Sequence, residues 1–303
     1  MLKAVQNLKK PLEPRGEFKQ SRLILGTATF GMDYGVTNTH GEVSVEKIGR
    51  ILDICRQGKI CELDTAGAYG RAEKRLGVAG VADFAITTKI DLGPDDSADA
   101  MHRKLAQSLE RLRVDKVATL LLHNEERLHQ PDAEAVAGHL HKLVEIGLAG
   151  RAGFSSYEPS NAVRLCERFG LHAVQLPANA LDQRLLHEGV LEQFLSLGVE
   201  VQIRSLFLQG LLLAEPHEAG GVPPEVLHYA RGFRARCREE GLTPLRGAWG
   251  ELRRFPEQVK AVFGVTSDEE LDETLKNIAH ARPLSSFKAP PWQKELDPRS
   301  WKN

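Results

Sequence analysis

Three ionisable side chains stand at the ends of short apolar runs of the sequence. They are Asp64 in CELDTAG, Lys89 in AITTKI and His123 in LLLHN. Such runs are typical of strands buried on both faces of a parallel sheet, and the carboxyl ends of parallel strands lie on one side of that sheet. Each residue has a simpler explanation alone: Asp64 as a turn cap, Lys89 as a solvated rim residue, His123 as a core histidine. Their convergence at neighbouring strand ends indicates one site.

Tyr69 adds a proton donor, because it lies five residues after Asp64 in a short loop that can fold back over the same strand ends. A free tyrosine has a pKa near 10, and a neighbouring ammonium favours the phenolate, so we expect Lys89 to lower the pKa of Tyr69. Asp64 would hold Lys89, and His123 would orient a carbonyl oxygen. This set can protonate an alkoxide as a hydride arrives at carbon. The alternative for Tyr69 is a loop aromatic that only packs on the fold.

The elements that must position these residues alternate between apolar runs and amphipathic stretches. Strands are predicted at Leu23–Leu25, Ile60–Leu63, Phe84–Thr88, Val117–Leu122, Ala152–Phe154, Ala173–Leu176, Val199–Ile203 and Ala261–Phe263. Helices are predicted near 44–58, 71–79, 97–112, 132–147, 159–169, 187–197, 224–240 and 268–279. Eight such pairs over about 250 residues predict an α/β fold, a closed (β/α)8 TIM barrel. A doubly wound open sheet would need a GxGxxG turn, and the first strand is followed by GTATFGMDYG.

Composition and short motifs limit the classes of partner and the cellular location that we expect. The net charge is −1, so the chain carries no overall basic field for nucleic acid or an anionic membrane, and we expect neither partner. The polar, proline-interrupted N-terminus has no apolar signal core, which favours the cytoplasm. No HxxxH or HExxH pattern occurs, so no metal is expected. The four cysteines form no CxxC pair, and we interpret them as buried reduced side chains.

The segment from Asp64 to Gly77 resembles DxAxxYGxxExxLG, the signature of the aldo-keto reductases. Seven further segments stand in the order that this family has. LGTATFG precedes the signature, and TTK, LLLH, GxxGRAGFSS, VQLPAN, VQIRSLFLQGLLL and GVTSDEELDETL come after it. The resemblance extends from Leu23 to about residue 280. It implies a barrel with Tyr69 as general acid or base and with Asp64, Lys89 and His123 as its partners. The whole chain, 1–303, would then be one domain with an N-terminal extension at 1–20 and a tail at 284–303.

The resemblance also implies a nicotinamide cofactor, NADP or NAD. It assigns cofactor binding to Thr27, Ser155, Ser156, Gln175, Arg204, Ser205, Leu206, Gly210, Gly264, Thr266 and Glu270. Gln175 would hold the carboxamide and Thr27 would lie under the nicotinamide. The loop from Arg204 to Leu213 would cover the pyrophosphate, and Glu270 would face the adenosine.

Three of these positions depart from the family pattern. Ser156 replaces the usual asparagine, and Arg204 stands where many members stack an aromatic ring on the nicotinamide. Glu270 stands where many members place an arginine or lysine for the 2′-phosphate of NADP. A carboxylate repels a phosphate but accepts a hydrogen bond from a ribose 2′-hydroxyl, which favours NAD. Alternatively, the acidic residues near Glu270 serve as the first turn of a helix.

The predicted function is therefore an NAD(P)-dependent oxidoreductase that acts on a small carbonyl compound or alcohol, and the resemblance favours a sugar-like one. Two other functions stay open on the sequence. One is a Schiff-base lyase on the same barrel with Lys89 as nucleophile, which needs a neutral amine. The other is a catalytically silent, cofactor-binding sensor or subunit. The sequence makes no prediction of the oligomeric state.

Overall fold

Eight parallel strands close into a barrel in order along the chain, and β8 pairs back onto β1. The computed structural model describes residues 18–93, 95–187, 189–216 and 221–301. The strands are β1 (Leu23–Gly26), β2 (Glu62–Asp64), β3 (Ala85–Ile90), β4 (Val117–Leu122), β5 (Ala149–Ser155), β6 (Ala173–Pro177), β7 (Glu200–Arg204) and β8 (Lys260–Gly264). The prediction of a (β/α)8 barrel is confirmed.

The helices surround the barrel. In the described ranges they are α1 (Val45–Gln57), α2 (Ala72–Ala79), α3 (Ala100–Leu112), α4 (Ala133–Glu145), α5 (Pro159–Phe169), α6 (Val190–Ser196), α7 (Pro224–Glu239), α8 (Pro244–Leu252) and α9 (Asp268–Ile278). Helix α8 was not predicted, because Gly247 and Gly250 lower its helix propensity. Its first turn is capped by Thr243, and Trp249 is fully buried, so capping and packing stabilise it.

Charged residues occupy both ends of the barrel, and those at the amino ends of the strands neutralise one another. Lys260 Nζ lies 2.7 Å from Glu62 Oε1 and 2.9 Å from Glu200 Oε2, and Arg151 pairs with Glu200 as well. These ion pairs join β2, β5, β7 and β8. Polar residues at this end are therefore used in structure, which leaves the opposite end for chemistry.

The C-terminal tail packs as an ordered segment over the described range 284–301. Trp301 is buried in an apolar cluster with Leu211, Leu212 and Phe233, and its Nε1 donates to the carbonyl of Glu295 at 2.8 Å. The tail thus supports the 205–213 loop from outside. Most of the predicted N-terminal extension lies outside the described residues.

The structure tests the expectation that all four cysteines are buried and reduced. Cys55, Cys166 and Cys237 are buried and unpaired, but Cys61 is exposed, so the expectation of four buried cysteines is wrong for that residue. Cys61 precedes β2 rather than lying within it, because β2 starts at Glu62. Among the described residues, no helix combines the length and the apolar character required to cross a bilayer.

Candidate active site

The structure brings the four predicted catalytic residues together at the carboxyl ends of β2, β3 and β4. They are called the tetrad below and comprise Asp64, Tyr69, Lys89 and His123. Lys89 Nζ lies 2.5 Å from Asp64 Oδ1 and 2.7 Å from Oδ2, and 3.2 Å from the hydroxyl of Tyr69. The ring of His123 meets that of Tyr69 edge-on, with centroids 5.7 Å apart. Lys89 and Asp64 are almost completely buried, so their ion pair is screened little by water.

Two glycines hold the loop that carries Tyr69. Gly70 has φ +53°, and a Cβ on it would lie 2.3 Å from the carbonyl oxygen of Gly31, in the loop after β1. A Cβ on Gly31 would lie 2.0 Å from the carbonyl oxygen of Tyr69. The backbones therefore meet without side chains between them, and Arg71 N donates to Gly31 O at 3.3 Å. This contact explains the glycines of LGTATFG and AYG and sets the position of the phenol.

A buried glutamate secures the strand that carries Lys89. Glu73, in the first turn of α2, accepts a hydrogen bond from Thr88 Oγ1 at 2.6 Å. Its other oxygen lies 2.7 Å from Arg111 on α3. Glu73 is itself buried, so this pairing satisfies its charge. It joins α2 and α3 to β3 one residue before Lys89.

The protonation states follow from burial and from the Asp64–Lys89 pair. Burial disfavours the charged amine of Lys89, but Asp64 and Tyr69 outweigh it, and the net result is a raised pKa for Lys89. The pKa of Tyr69 is raised as well, because burial and the Asp64 carboxylate outweigh the opposing effect of Lys89. Lys89 does lower the pKa of Tyr69 as predicted, but burial and Asp64 raise it by more, so the expected net decrease is wrong. Tyr69 is a phenol and Lys89 an ammonium at neutral pH.

His123 is oriented by a carboxylate that the sequence analysis did not identify. Its Nδ1 lies 3.1 Å from Oδ2 of Asp91, two residues past Lys89. The pKa of Asp91 is lowered by this hydrogen bond, with His123 as the donor. The other ring nitrogen, Nε2, is then the one available to a ligand.

Gln175 supplies a buried oxygen atom with no partner. Its Nε2 donates to Asp64 Oδ2 at 2.8 Å and to Gln202 Oε1 at 3.1 Å. Within the described part of the chain, Gln175 Oε1 accepts no hydrogen bond. A buried acceptor of this kind costs stability unless a ligand donates to it. A carboxamide has the required N–H groups, so the residue present fits the nicotinamide end of the predicted cofactor.

A cavity of about 660 Å³ opens at this end of the barrel and is lined by all four tetrad residues. Ten of the predicted cofactor-binding residues also line it: Thr27, Ser155, Gln175, Arg204, Ser205, Leu206, Gly210, Gly264, Thr266 and Glu270. Ser156 is the exception and does not line the cavity. Its Oγ accepts a hydrogen bond from the backbone of Glu158 at 2.9 Å, so its side chain is used in the turn after β5.

Two loops meet at the cavity. Gly210 has φ +92°, and a Cβ on it would lie 1.7 Å from Thr37 Oγ1, so only glycine fits this contact. Thr37 Oγ1 in turn donates to the carbonyl of Gln209 at 3.4 Å. The 205–213 loop after β7 is thereby joined to the segment after β1. Both loops contribute lining residues, which agrees with a role in covering a bound ligand.

The end of the cavity at α9 is acidic. Glu270 and Glu273 line it, and Glu270 Oε2 accepts a hydrogen bond from the backbone N–H of Thr266 at 2.7 Å. The nearby cation Arg50 is paired with Asp268 at 2.7 Å. Of the described residues that line the cavity, none on β8 or α9 is a lysine or an arginine. A 2′-phosphate would find no positive partner on these elements.

Sequence reasoning missed two tyrosines of the cavity wall. Tyr34, in the segment GMDYG after β1, and Tyr157, two residues after Ser155, both line the cavity. Tyr34 lies eight residues past β1, and Tyr157, although only two residues past β5, belongs to none of the motifs used in the sequence analysis. Tyr34 has a pKa raised to about 12, chiefly by burial of its hydroxyl. Both rings widen the apolar and hydrogen-bonding surface offered to a substrate.

Comparison with known proteins finds one matching family and several solved structures with the same fold. A family model described as "Aldo/keto reductase family" matches residues 22–287. An aldo-keto reductase from Bacillus halodurans, solved in its holo form, superposes with a TM-score of 0.71 at 20% identity, covering 95% of this chain and 99% of that one. A Pseudomonas aeruginosa protein named as a candidate aldo-keto reductase superposes at 0.63 with 21% identity, covering 90% and 98%. No curated protein sequence matches.

Proposed function

The chain belongs to the aldo-keto reductase family, and from that premise we propose that it is an NAD(P)-dependent oxidoreductase that reduces an aldehyde or ketone or oxidises the alcohol. One observation carries the proposal. The buried ammonium of Lys89 binds a carboxylate and a phenol at once, 2.5 Å from Asp64 and 3.2 Å from Tyr69, at the mouth of the barrel.

This arrangement suits Tyr69 to donate a proton. Reduction converts a carbonyl oxygen into an alkoxide, which must be protonated. Tyr69 keeps its proton at neutral pH because its pKa is raised by burial. Lys89 then stabilises the phenolate left behind, and Asp64 keeps the ammonium in place. In the reverse direction the phenolate accepts the proton of the alcohol, and in both directions His123, fixed by Asp91, orients the substrate oxygen.

The cofactor, when bound, supplies or accepts the hydride. We propose that Gln175 Oε1 accepts a hydrogen bond from its carboxamide and that the 205–213 loop covers its phosphates. Glu270 and Glu273 favour NADH over NADPH, because carboxylates repel a 2′-phosphate and accept a hydrogen bond from a 2′-hydroxyl. The absence of a lysine or arginine at this end of the described cavity lining supports the same preference.

The two other functions considered fit less well. A Schiff-base lyase needs a neutral amine, and the two short contacts from Lys89 to Asp64 hold it as an ammonium. A silent binding subunit has no use for a complete proton-donor set, and all four members are present and in reach of one another. A sugar-like substrate and a cytoplasmic location stay predictions.

Replacement of Tyr69 by phenylalanine tests the proposal. We expect Tyr69→Phe to bind NADH like the wild type, measured by quenching of protein fluorescence. Turnover of a panel of aldehydes should fall by about two to four orders of magnitude, since the proton donor is lost. Wild-type turnover in this variant would remove Tyr69 from its role. A wild-type protein that binds neither NADH nor NADPH would contradict the whole proposal.

A further inference from the structure

One cation that lines the cavity has no anionic partner. Arg204, the last residue of β7, is half-buried and donates from Nε to Ser155 Oγ at 3.3 Å and from Nη2 to the carbonyl of Ser156 at 3.2 Å. Both acceptors are neutral. Among the described residues it forms no ion pair, and its Nη1 has no acceptor. A partly buried charge gains from an anionic partner, and this guanidinium lines the cavity where a ligand could supply one.

Lys89 and His123, the other basic side chains of the tetrad region, already have carboxylate partners. Lys89 is bound to Asp64 through both carboxylate oxygens, and His123 is bound to Asp91. Arg204 is therefore the group that leaves positive charge uncompensated beside the catalytic phenol.

Arg204 is also held in place. Its Cζ lies 4.0 Å from the centre of the Tyr157 ring, which covers one flat face of the guanidinium. Arg299 of the tail lies 3.4 Å above the same ring, and Asp297 neutralises Arg299 at 2.6 Å. The stack fixes Arg204 without adding net charge. The in-plane N–H groups of Nη1 remain free, and these are the groups with which guanidinium binds oxyanions.

Building on the proposed function, we infer that Arg204 binds a carboxylate on the substrate, so that the enzyme prefers an aldehyde or ketone that also carries an acidic group. One uncompensated positive charge matches one carboxylate, whereas a phosphate ester brings nearly two negative charges. Tyr34 and Tyr157 line the same cavity as Arg204 and the tetrad.

A pair of matched aldehydes tests this inference in the full-length protein. We expect wild-type kcat/KM for 4-carboxybenzaldehyde to exceed that for its methyl ester by about tenfold or more, the typical effect of a charge-assisted hydrogen bond. Arg204→Gln should reduce this ratio to near one, and Arg204→Lys should keep part of it. Arg103→Gln removes an arginine that is 67% exposed on α3 and should keep the wild-type ratio.

The alternative source of the anion is the cofactor, whose phosphates Arg204 could bind instead. In that case Arg204→Gln weakens NADH binding and lowers kcat/KM for both aldehydes by the same factor. The ratio of the two kcat/KM values then stays at its wild-type level, and the inference is overturned. A wild-type ratio near one also overturns it.

A binding measurement without turnover separates this inference from the proposed function. Calorimetric titration with benzoate and with benzamide should show benzoate binding that weakens about tenfold in Arg204→Gln, with benzamide unaffected. If neither aldehyde is reduced but benzoate binding depends on Arg204, the reductase proposal fails and the anion site stands. If both aldehydes are reduced without dependence on Arg204, the anion site fails and the reductase stands.

Discussion

At the scale of single residues, the proposed chemistry depends on how a carboxylate, an ammonium and a phenol share one buried space. Lys89 lowers the pKa of Tyr69, but burial and the Asp64 carboxylate together outweigh it, and the net pKa of the phenol is raised. The types of these residues predicted the contacts between them. The direction of the net pKa shift of Tyr69 was predicted wrongly, because desolvation depends on neighbours from the whole barrel.

The raised pKa of Tyr69 predicts how reduction depends on pH. Reduction needs the protonated phenol, so kcat/KM should stay level from pH 7 to about 9 and fall only as pH rises through a value above about 10, the ordinary tyrosine pKa. A pH–rate profile for one aldehyde at saturating cofactor measures this. An alkaline limb with its midpoint below about 9 would show that Lys89 dominates after all.

Glu270 determines the second residue-scale prediction. We expect the wild type to bind NADH more tightly than NADPH, and Glu270→Arg to shift the ratio of the two dissociation constants toward NADPH by about tenfold or more. Fluorescence quenching measures both constants. Glu269→Arg is the matched control, because it places the same charge in the same first turn of α9 but does not line the cavity. Equal shifts in both variants would point to a general charge effect.

At the scale of elements, the loops after β1 and β2 act as one unit. Gly31 and Gly70 bring their backbones into direct contact, and Tyr69 lies within that contact. The same principle joins the 205–213 loop to Thr37 through Gly210. Strand ends supply the reacting groups, whereas contacts between loops fix how far those groups reach.

Gly70→Ala is expected to disturb Tyr69 more than it disturbs the fold. The added Cβ would lie 2.3 Å from Gly31 O, so the two loops must separate. Gly198→Ala is the control: Gly198 has a similar φ of +69° with no atom within 4 Å of the added Cβ, and it precedes β7 at the opposite end of the barrel. Both variants should lose about 1–2 kcal/mol from left-handed strain. Only Gly70→Ala should also lose turnover, and equal activity in the two would refute the positioning role.

At the scale of the whole molecule, the C-terminal tail is tied to the site from outside. Trp301 belongs to the same buried apolar cluster as Leu211 and Leu212 of the 205–213 loop, and Arg299 stacks on Tyr157 of the cavity wall. The C-terminal tail therefore supports two elements that line the cavity. The barrel can close without the tail, since β8 already pairs with β1.

Trp301→Ala should accordingly lower both stability and cofactor affinity. Removal of a buried tryptophan costs about 3 kcal/mol of unfolding free energy, measured by chemical denaturation. The dissociation constant for NADH should rise as the 205–213 loop loses its support. Trp301→Phe keeps most of the apolar contact and should recover most of both losses. Destabilisation with unchanged NADH affinity would mean that the loop is held without the tail.

The sequence by itself determined the barrel and the order of its strands, and it predicted four side chains that the structure brings together. These follow from local information, because strand and helix periodicities repeat within a few residues and strand ends must meet in a closed parallel sheet. Helix α8 was not predicted, because its glycines weaken the local helical pattern. The burial of Trp249, which stabilises this helix, depends on the folded barrel.

Only the tertiary structure decided which side chains from distant segments meet. Asp91 fixes His123, Tyr157 lies between Arg204 and Arg299, and Ser156 turns away from the cavity. The lack of an anionic partner for Arg204 among the described residues and the raised pKa of Tyr69 were likewise decided by the tertiary structure. Each is a sum over neighbours and buried volume, and residues far apart in the chain contribute to that sum only once the barrel has closed.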